Sequence, residues 1–257
     1  MSAPQRWVLL RGLAREAGHW GRFPDRLRAA LGAGHEVRAL DLPGNGTRHA
    51  QASARTVAGL VAACREVLAA QQGQGSVRLV ALSLGAMVAL EWACTAAPGE
   101  LAGCALINTS LGGHSPAWRR LRPATALRLA WACRRGGDVQ QREQRVLKAT
   151  SGDPARHAGL SREWAAIAAA RPVRAANVLR QLLAAARYRV PARAPEVPLL
   201  VLCSQGDRLV SPQCSHVLAQ SWGLPLHVHP WAGHDLTLDD PDWVARQLAN
   251  WAADPCA

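Results

Sequence analysis

At 257 residues, with about half of them hydrophobic, the chain is long enough to bury a full core and to form one large α/β domain or two small ones. It contains no charge-free apolar run of the roughly 20 residues needed to cross a bilayer, which excludes a membrane-spanning helix. The net charge is +12, and only Lys148 among the thirty basic residues is a lysine. Such a balance suits attraction to nucleic acid, anionic lipid or an acidic substrate, but a GC-rich coding background gives the same bias; the arginines run along the whole chain, denser between Trp118 and Arg193, and the background reading is preferred.

The N-terminus, Met1-Ser2-Ala3-Pro4-Gln5-Arg6, enters a strand almost at once and carries no secretory signal pattern, so a cytoplasmic location is expected. The apolar run 6–10 suits a buried strand ending at Arg11-Gly12. Trp20, Phe23, Leu27 and Leu31 follow at helical spacing, with Pro24 tolerable in a first turn. A second strand over 35–42 stops at the turn formers Pro43-Gly44-Asn45-Gly46. Val57, Leu60, Val61, Cys64, Val67 and Leu68 mark one face of a helix ended by Gly73 and Gly75. A strand from Val77 to Leu82 then meets Ser83 and a helix running to Ala97, with Pro98-Gly99 as its stop. Another buried strand covers 101–107. Strands alternating with helices predict a parallel sheet with helices on both faces.

The alternation breaks after Asn108. Helical stretches are expected over 118–134, 138–150, 161–170 and 173–188, punctuated by Gly136-Gly137, Ser151-Gly152-Asp153-Pro154 and Pro172. They read as a helical insertion over 112–195 that divides a core of 1–111 and 196–257. The alternation resumes with a strand over 197–203, a helix over 212–222, a strand over 226–229 and a last helix over 241–251. The seven cysteines (Cys64, Cys94, Cys104, Cys133, Cys203, Cys214, Cys256) form no C-x-x-C pair and read as reduced, mostly buried thiols.

Ser83 has Ala81 two residues before it and Gly85 two after, the small-x-Ser-x-small pattern of a nucleophile elbow. The tight strand-to-helix corner holds the serine in strained backbone geometry and leaves no room for side chains at the flanking positions. A serine hydroxyl is a weak nucleophile near neutral pH; it needs a histidine to take its proton and a carboxylate to fix that histidine. In a parallel sheet such partners belong on loops at the carboxyl ends of later strands. Ser204-Gln205-Gly206-Asp207 and Trp231-Ala232-Gly233-His234-Asp235 are two such loops, and the order Ser83, Asp207, His234 is that of a Ser…Asp…His triad.

With these motifs the chain resembles the α/β-hydrolase superfamily, in its small esterase-like group with a helical cap. The resemblance runs over nearly the whole length and rests on Leu9-Leu10-Arg11-Gly12-Leu13, Asp41-Leu42-Pro43-Gly44-Asn45-Gly46, Ala81-Leu82-Ser83-Leu84-Gly85, Gly206-Asp207 with Val210-Ser211-Pro212, and Ala232-Gly233-His234. It implies Ser83 as nucleophile, His234 as general base and Asp207 as its orienting acid. Some relatives carry the acid after the strand that follows the elbow helix; here that place holds the uncharged Asn108. The oxyanion hole calls for two backbone N–H groups. The expected donors are Leu84, next after the nucleophile, and Leu13 in the first loop. There the family usually has His-Gly-x and this chain has Arg11-Gly12-Leu13, a departure that bears on loop packing and substrate preference.

The expected activity is hydrolysis of a carboxylic ester through an acyl-enzyme, with a small-molecule ester or acyl substrate and no cofactor or metal. Thioester, lactone, amide or C–C bond hydrolysis on the same triad are the alternatives, followed by an idle binding protein of the same fold; nucleic acid is not an expected partner. Asp41 reads as a turn carboxylate. His227 and His229 share a strand face but find no third metal ligand. Trp118, Trp131 and Trp164 either line an apolar pocket with a cationic rim over Ser83 or pack within the cap.

Overall fold

A computed structural model describes residues 5–70, 76–134, 138–189 and 193–254, with only the backbone for 131–134. In chain order the elements are β1 (Arg6–Leu10), α1 (Phe23–Leu31), β2 (Glu36–Leu40), α2 (Val57–Ala70), β3 (Val77–Leu82), α3 (Leu84–Cys94), β4 (Leu101–Ile107), α4 (Ala117–Arg120), α5 (Pro123–Arg134), α6 (Val139–Thr150), α7 (Leu160–Ala170), α8 (Ala175–Arg187), β5 (Leu199–Ser204), α9 (Gln213–Trp222), β6 (Leu226–His229), α10 (Leu236–Asp239) and α11 (Pro241–Ala253).

The six strands form one parallel sheet in the order β2-β1-β3-β4-β5-β6. Side chains alternate between its faces, as the two-residue period of a strand dictates. On β1, Val8 and Leu10 join the core packed under α2 and α3, while Trp7 and Leu9 join the one under α1 and α11. Burial on both faces explains why β3 and β5 read as nearly continuous apolar runs. Arg78 interrupts β3 without breaking it: its guanidinium lies 4.7 Å from the Trp251 ring centroid and 5.9 Å from that of Trp7, and its Nε donates to Gln5 Oε1 at 3.0 Å. Helix α3 is buried on nearly every side, which explains its almost uniformly apolar sequence.

The chain runs from β1 to β2, returns across β1 to β3, and then advances to β6. The strand order therefore switches between β1 and β3, the place where open parallel sheets carry their sites beyond the strand ends. The loops after β1 and after β3 flank it: a Cβ added at Gly12 would stand 3.1 Å from Ser83 Cβ.

Helices α4 to α8 lie between β4 and β5 in the chain, and a parallel bridge between Gly112 and Arg189 joins the two ends of this stretch. The expected helix over 118–134 is two helices. Pro123 disfavours helical backbone at Arg122, and Arg122 N–H donates to Leu209 O at 2.9 Å instead. The first helix also begins later than its spacing predicts. Trp20 closes a separate 3-10 turn (Ala17–Trp20), and Gly21, at φ +51°, redirects the chain before α1. The stops at Gly73, Gly75 and Gly136-Gly137, and the Trp131 side chain, lie outside the described residues. Among those residues no helix is long and apolar enough to cross a membrane.

Candidate active site

Ser83 occupies a one-residue corner between β3 and α3, with φ +59° and ψ −116°. Serine rarely adopts this conformation, and the surrounding contacts over-determine it. Ser83 N–H extends the sheet ladder to Ile107 O at 2.9 Å, and Ser83 O accepts from Ala86 N–H at 3.0 Å and from Met87 N–H at 3.2 Å. Gly85 is required by close approach: a Cβ there would fall 2.3 Å from Leu10 O and 2.7 Å from Arg11 O. Leu84 is the first residue of α3, so its N–H is one of the donors a helix leaves without an internal partner.

The loop after β5 carries Asp207. One carboxylate oxygen accepts from Leu209 N–H at 2.8 Å and Val210 N–H at 2.9 Å; the other meets His234 Nδ1 at 2.7 Å, and both side chains are buried. Asp207 therefore both organises its own turn and orients the histidine. Gly206 lets the two loops touch, since a Cβ there would lie 2.4 Å from Trp231 O. Among the described residues no hydrogen bond joins Ser83 to His234; such links lengthen readily without substrate.

Asn108, at the position where relatives carry an acid, has a different role. Its Nδ2 donates to His234 O and Ser204 Oγ at 2.9 Å and to Gly233 O at 3.2 Å, while its Oδ1 accepts from Ser204 N–H at 2.8 Å. A neutral amide serves all four contacts; a carboxylate could not donate to the carbonyls. Asp239 braces the histidine loop from the other side. Its carboxylate accepts from Gly233 N–H and Gly152 N–H at 2.7 Å and from Ser151 Oγ at 2.5 Å, which ties the end of α6 to that loop. Neither of these loop braces was legible as such in the sequence, because each depends on partners brought together by the strand order.

Arg11 is 4% exposed and pairs with Asp235, the residue after His234. Its Nη2 reaches Asp235 Oδ2 at 2.6 Å, its Nη1 reaches Oδ1 at 3.1 Å, and its guanidinium lies 4.7 Å from the Trp20 ring centroid. Burial pushes the Asp235 carboxyl up, but the charge and hydrogen bonds of Arg11 outweigh it and hold the group below the usual carboxylate range. Arg11 is thus one half of a buried ion pair that binds the first loop to the histidine loop.

The same first loop is fixed to the inserted helices. Arg15 pairs with Glu143 of α6 at 2.7 Å, Glu16 with Arg171 after α7, and Ala14 N–H donates to Gln181 Oε1 of α8 at 3.0 Å. Trp164 of α7 packs against Arg15 and His19, with ring-centroid distances of 4.4 Å and 5.5 Å. Burial and the charges of Arg15 and Arg11 push the His19 imidazole down to about 2. Trp118 is 66% exposed whereas Trp164 is buried, so these two do not share one pocket. Asp41 accepts from Ala17 N–H and Thr47 N–H, a turn carboxylate as expected. His227 and His229 also diverge. His229 is buried, accepting from Ala232 N–H, while His227 is exposed, and no metal-binding group occurs among the described residues.

The family model described as "Alpha/beta hydrolase family" matches residues 7–247. A curated relative, the 2-succinyl-6-hydroxy-2,4-cyclohexadiene-1-carboxylate synthase of Serratia proteamaculans, is 31% identical over 228 residues, covering 84% of this chain and 83% of the relative. Among solved structures, an esterase from Exiguobacterium antarcticum superposes with a TM-score of 0.79 at 14% identity, covering 99% of this chain and 94% of that one. The 2-hydroxy-6-oxo-6-phenylhexa-2,4-dienoate hydrolase of Rhodococcus sp. strain RHA1 superposes with a TM-score of 0.78 at 20% identity, covering 98% and 91%. At those identities the two structures speak for the fold alone, whereas the family match spans nearly the whole sequence: the chain belongs to the alpha/beta hydrolase family.

Proposed function

We propose that the protein is a serine hydrolase that cleaves a carboxylic ester through Ser83, His234 and Asp207. The observation that carries the reading is the buried 2.7 Å Asp207–His234 contact at the same sheet end as the strained Ser83 corner. Ser83 Oγ attacks the carbonyl carbon as His234 Nε2 takes its proton; Asp207 holds Nδ1–H and stabilises the imidazolium. The N–H groups of Leu13 and Leu84 receive the oxyanion, a role in which losing one donor costs roughly 3 kcal/mol of transition-state stabilisation. Collapse expels the alcohol, which takes the proton from His234. Water activated by the same histidine then releases the acid and restores Ser83. The chemistry needs no cofactor. Residues 112–195 form the cap, and the attachment of α6, α7 and α8 to the Arg11–Glu16 loop supports a cap that shapes the oxyanion side of the site.

The test is a panel of aryl and alkyl esters, thioesters and lactones, run on the native enzyme beside Ser83→Ala. Ester turnover that vanishes in the variant supports the reading; turnover that persists in Ser83→Ala overturns it. A second reading, C–C bond cleavage on the same triad, draws on the likeness to the dienoate hydrolase. The same panel extended to a 2-hydroxy-6-oxo-dienoate separates the two by which substrate has the higher kcat/KM.

A further inference from the structure

The charge of the chain is divided unevenly. Residues 112–195 contain seventeen arginine and lysine residues against four acidic ones, a net +13, and the rest of the chain sums to −1. The four acids are Asp138, Glu143, Asp153 and Glu163, so residues 112–137 and 164–195 have none. Helices α4, α5 and α8 are therefore wholly free of negative charge. A coding background would load arginine evenly over both parts; it does not account for this division.

Helix α8 is also inside out. A surface helix normally turns its apolar stripe to the core. Here Asn177 and Gln181 point inward, where Asn177 accepts from Ser53 N–H and donates to Gln51 O, both at 2.9 Å, and Gln181 accepts from Ala14 N–H and donates to Asn45 Oδ1. The opposite stripe, Ala175, Leu179, Leu182 and Ala186, repeats at helical spacing and faces out, with Leu179 67% exposed and Leu182 37%. Exposed Arg174 and Arg187 stand at its two ends. Arg120 of α4 donates to the carbonyls of Ala185 and Ala186, which sets α4 beside the end of the stripe. Exposed Trp118 of α4 and Leu121 just after it are thus close to it, with Leu127 of α5, 71% exposed, in the next helix. Four of the seven large hydrophobic side chains most exposed among the described residues belong to these three acid-free helices, and a fifth, Leu121, lies between α4 and α5.

We propose that α4, α5 and α8 form a surface by which the enzyme rests on an anionic lipid bilayer. Leucine and tryptophan ringed by arginine, on helices too short to span, is the arrangement of an interfacial anchor: the apolar groups enter the headgroup boundary while the guanidinium groups meet lipid phosphates. A second copy of the chain is a poor occupant, because it would bring one arginine-bearing, acid-free face against another. Nucleic acid would use the arginines and leave the leucine stripe in water. The surface goes beyond the proposed ester hydrolysis and does not depend on it.

Sedimentation with vesicles tests the assignment, using phosphatidylcholine alone or mixed with phosphatidylglycerol, with an oligonucleotide duplex as competitor. The protein is expected to pellet with the anionic vesicles and not with the neutral ones. Arg174→Ser with Arg187→Ser should weaken binding about 25-fold, from about five-fold for each basic residue near the surface. Leu179→Ser with Leu182→Ser should weaken it at least ten-fold while turnover of a small soluble ester stays unchanged. The proposal is overturned by equal binding to both vesicle types. It is also overturned by full binding in the leucine variant that salt alone disrupts, or by capture of the protein by the duplex in preference to the vesicles.

Discussion

Replacing Arg11 by methionine removes one charge from a buried pair and leaves the other. Asp235 would keep its burial and its Thr237 Oγ1 partner at 3.1 Å but lose both guanidinium bonds. Breaking a buried pair in this way costs about 3–5 kcal/mol. For a domain of this size that corresponds to a fall in Tm of roughly 6–20 °C, at about 2–4 °C per kcal/mol. The pH dependence fixes the cause. In the native protein the Asp235 pKa is depressed, so its contribution is present above the unfolded carboxylate pKa and is lost as pH falls through the folded value. Without Arg11 the upward push of burial is opposed only by the Thr237 hydroxyl and the neighbouring His234, and the sign reverses: protonation relieves the unpaired charge, and the gap between variant and native protein narrows as pH is lowered. Thermal melts followed by circular dichroism at neutral and mildly acidic pH measure this. Arg11→Met with Asp235→Leu should recover most of the loss, since an apolar pair can stand in for a buried ion pair. A loss under about 1 kcal/mol, the same at both pH values, would refute the account of this pair.

Other expectations concern the site and its braces. Asp207→Asn should lower kcat by about 10⁴-fold with little change in KM, because the amide favours the wrong histidine tautomer; steady-state kinetics on an aryl ester measures it. Gly85→Ala should leave little folded, active enzyme, as its methyl would meet two carbonyl oxygens of the first loop; yield and the near-ultraviolet spectrum read this out. Asn108→Ala should lower kcat and the melting temperature together, whereas Asn108→Asp should be no rescue, because a carboxylate cannot donate to the carbonyls of Gly233 and His234. His19, with its imidazole pushed down to about 2, binds a proton far more readily when unfolded. Below a pH of about 6.5 it should therefore remove stability, at up to about 1.4 kcal/mol per pH unit. His19→Gln should flatten that acid limb in urea titrations.

The parts of the fold visible in the sequence are those governed by local pattern. Apolar runs bounded by turn formers and helical spacings located the six strands and most helices, and the corner at Ser83 announced itself through Ala81 and Gly85. The loops of Asp207 and His234 were legible because catalytic chemistry places such residues at strand ends in a fixed order. Long-range pairing was not legible. Arg11 looked like a departure from a family pattern, and its meaning lies in Asp235, 224 residues away. Asn108 looked like a missing acid, although its amide is what the converging loops require. The break at Leu121-Arg122 did carry a signal in Pro123, which the apolar spacing of 118–134 obscured. The inverted stripe of α8 was hidden for a related reason: helical periodicity identifies a face but does not say which side of it meets the core.

The central claim is that Ser83, activated by His234, is the nucleophile. Mass spectrometry of the intact and digested protein after exposure to a fluorophosphonate ester tests it most directly. The account predicts one adduct, on the peptide containing Ser83, absent in Ser83→Ala and formed far more slowly in His234→Ala. An adduct on any other residue, or a native enzyme that hydrolyses esters yet remains unlabelled, would contradict it.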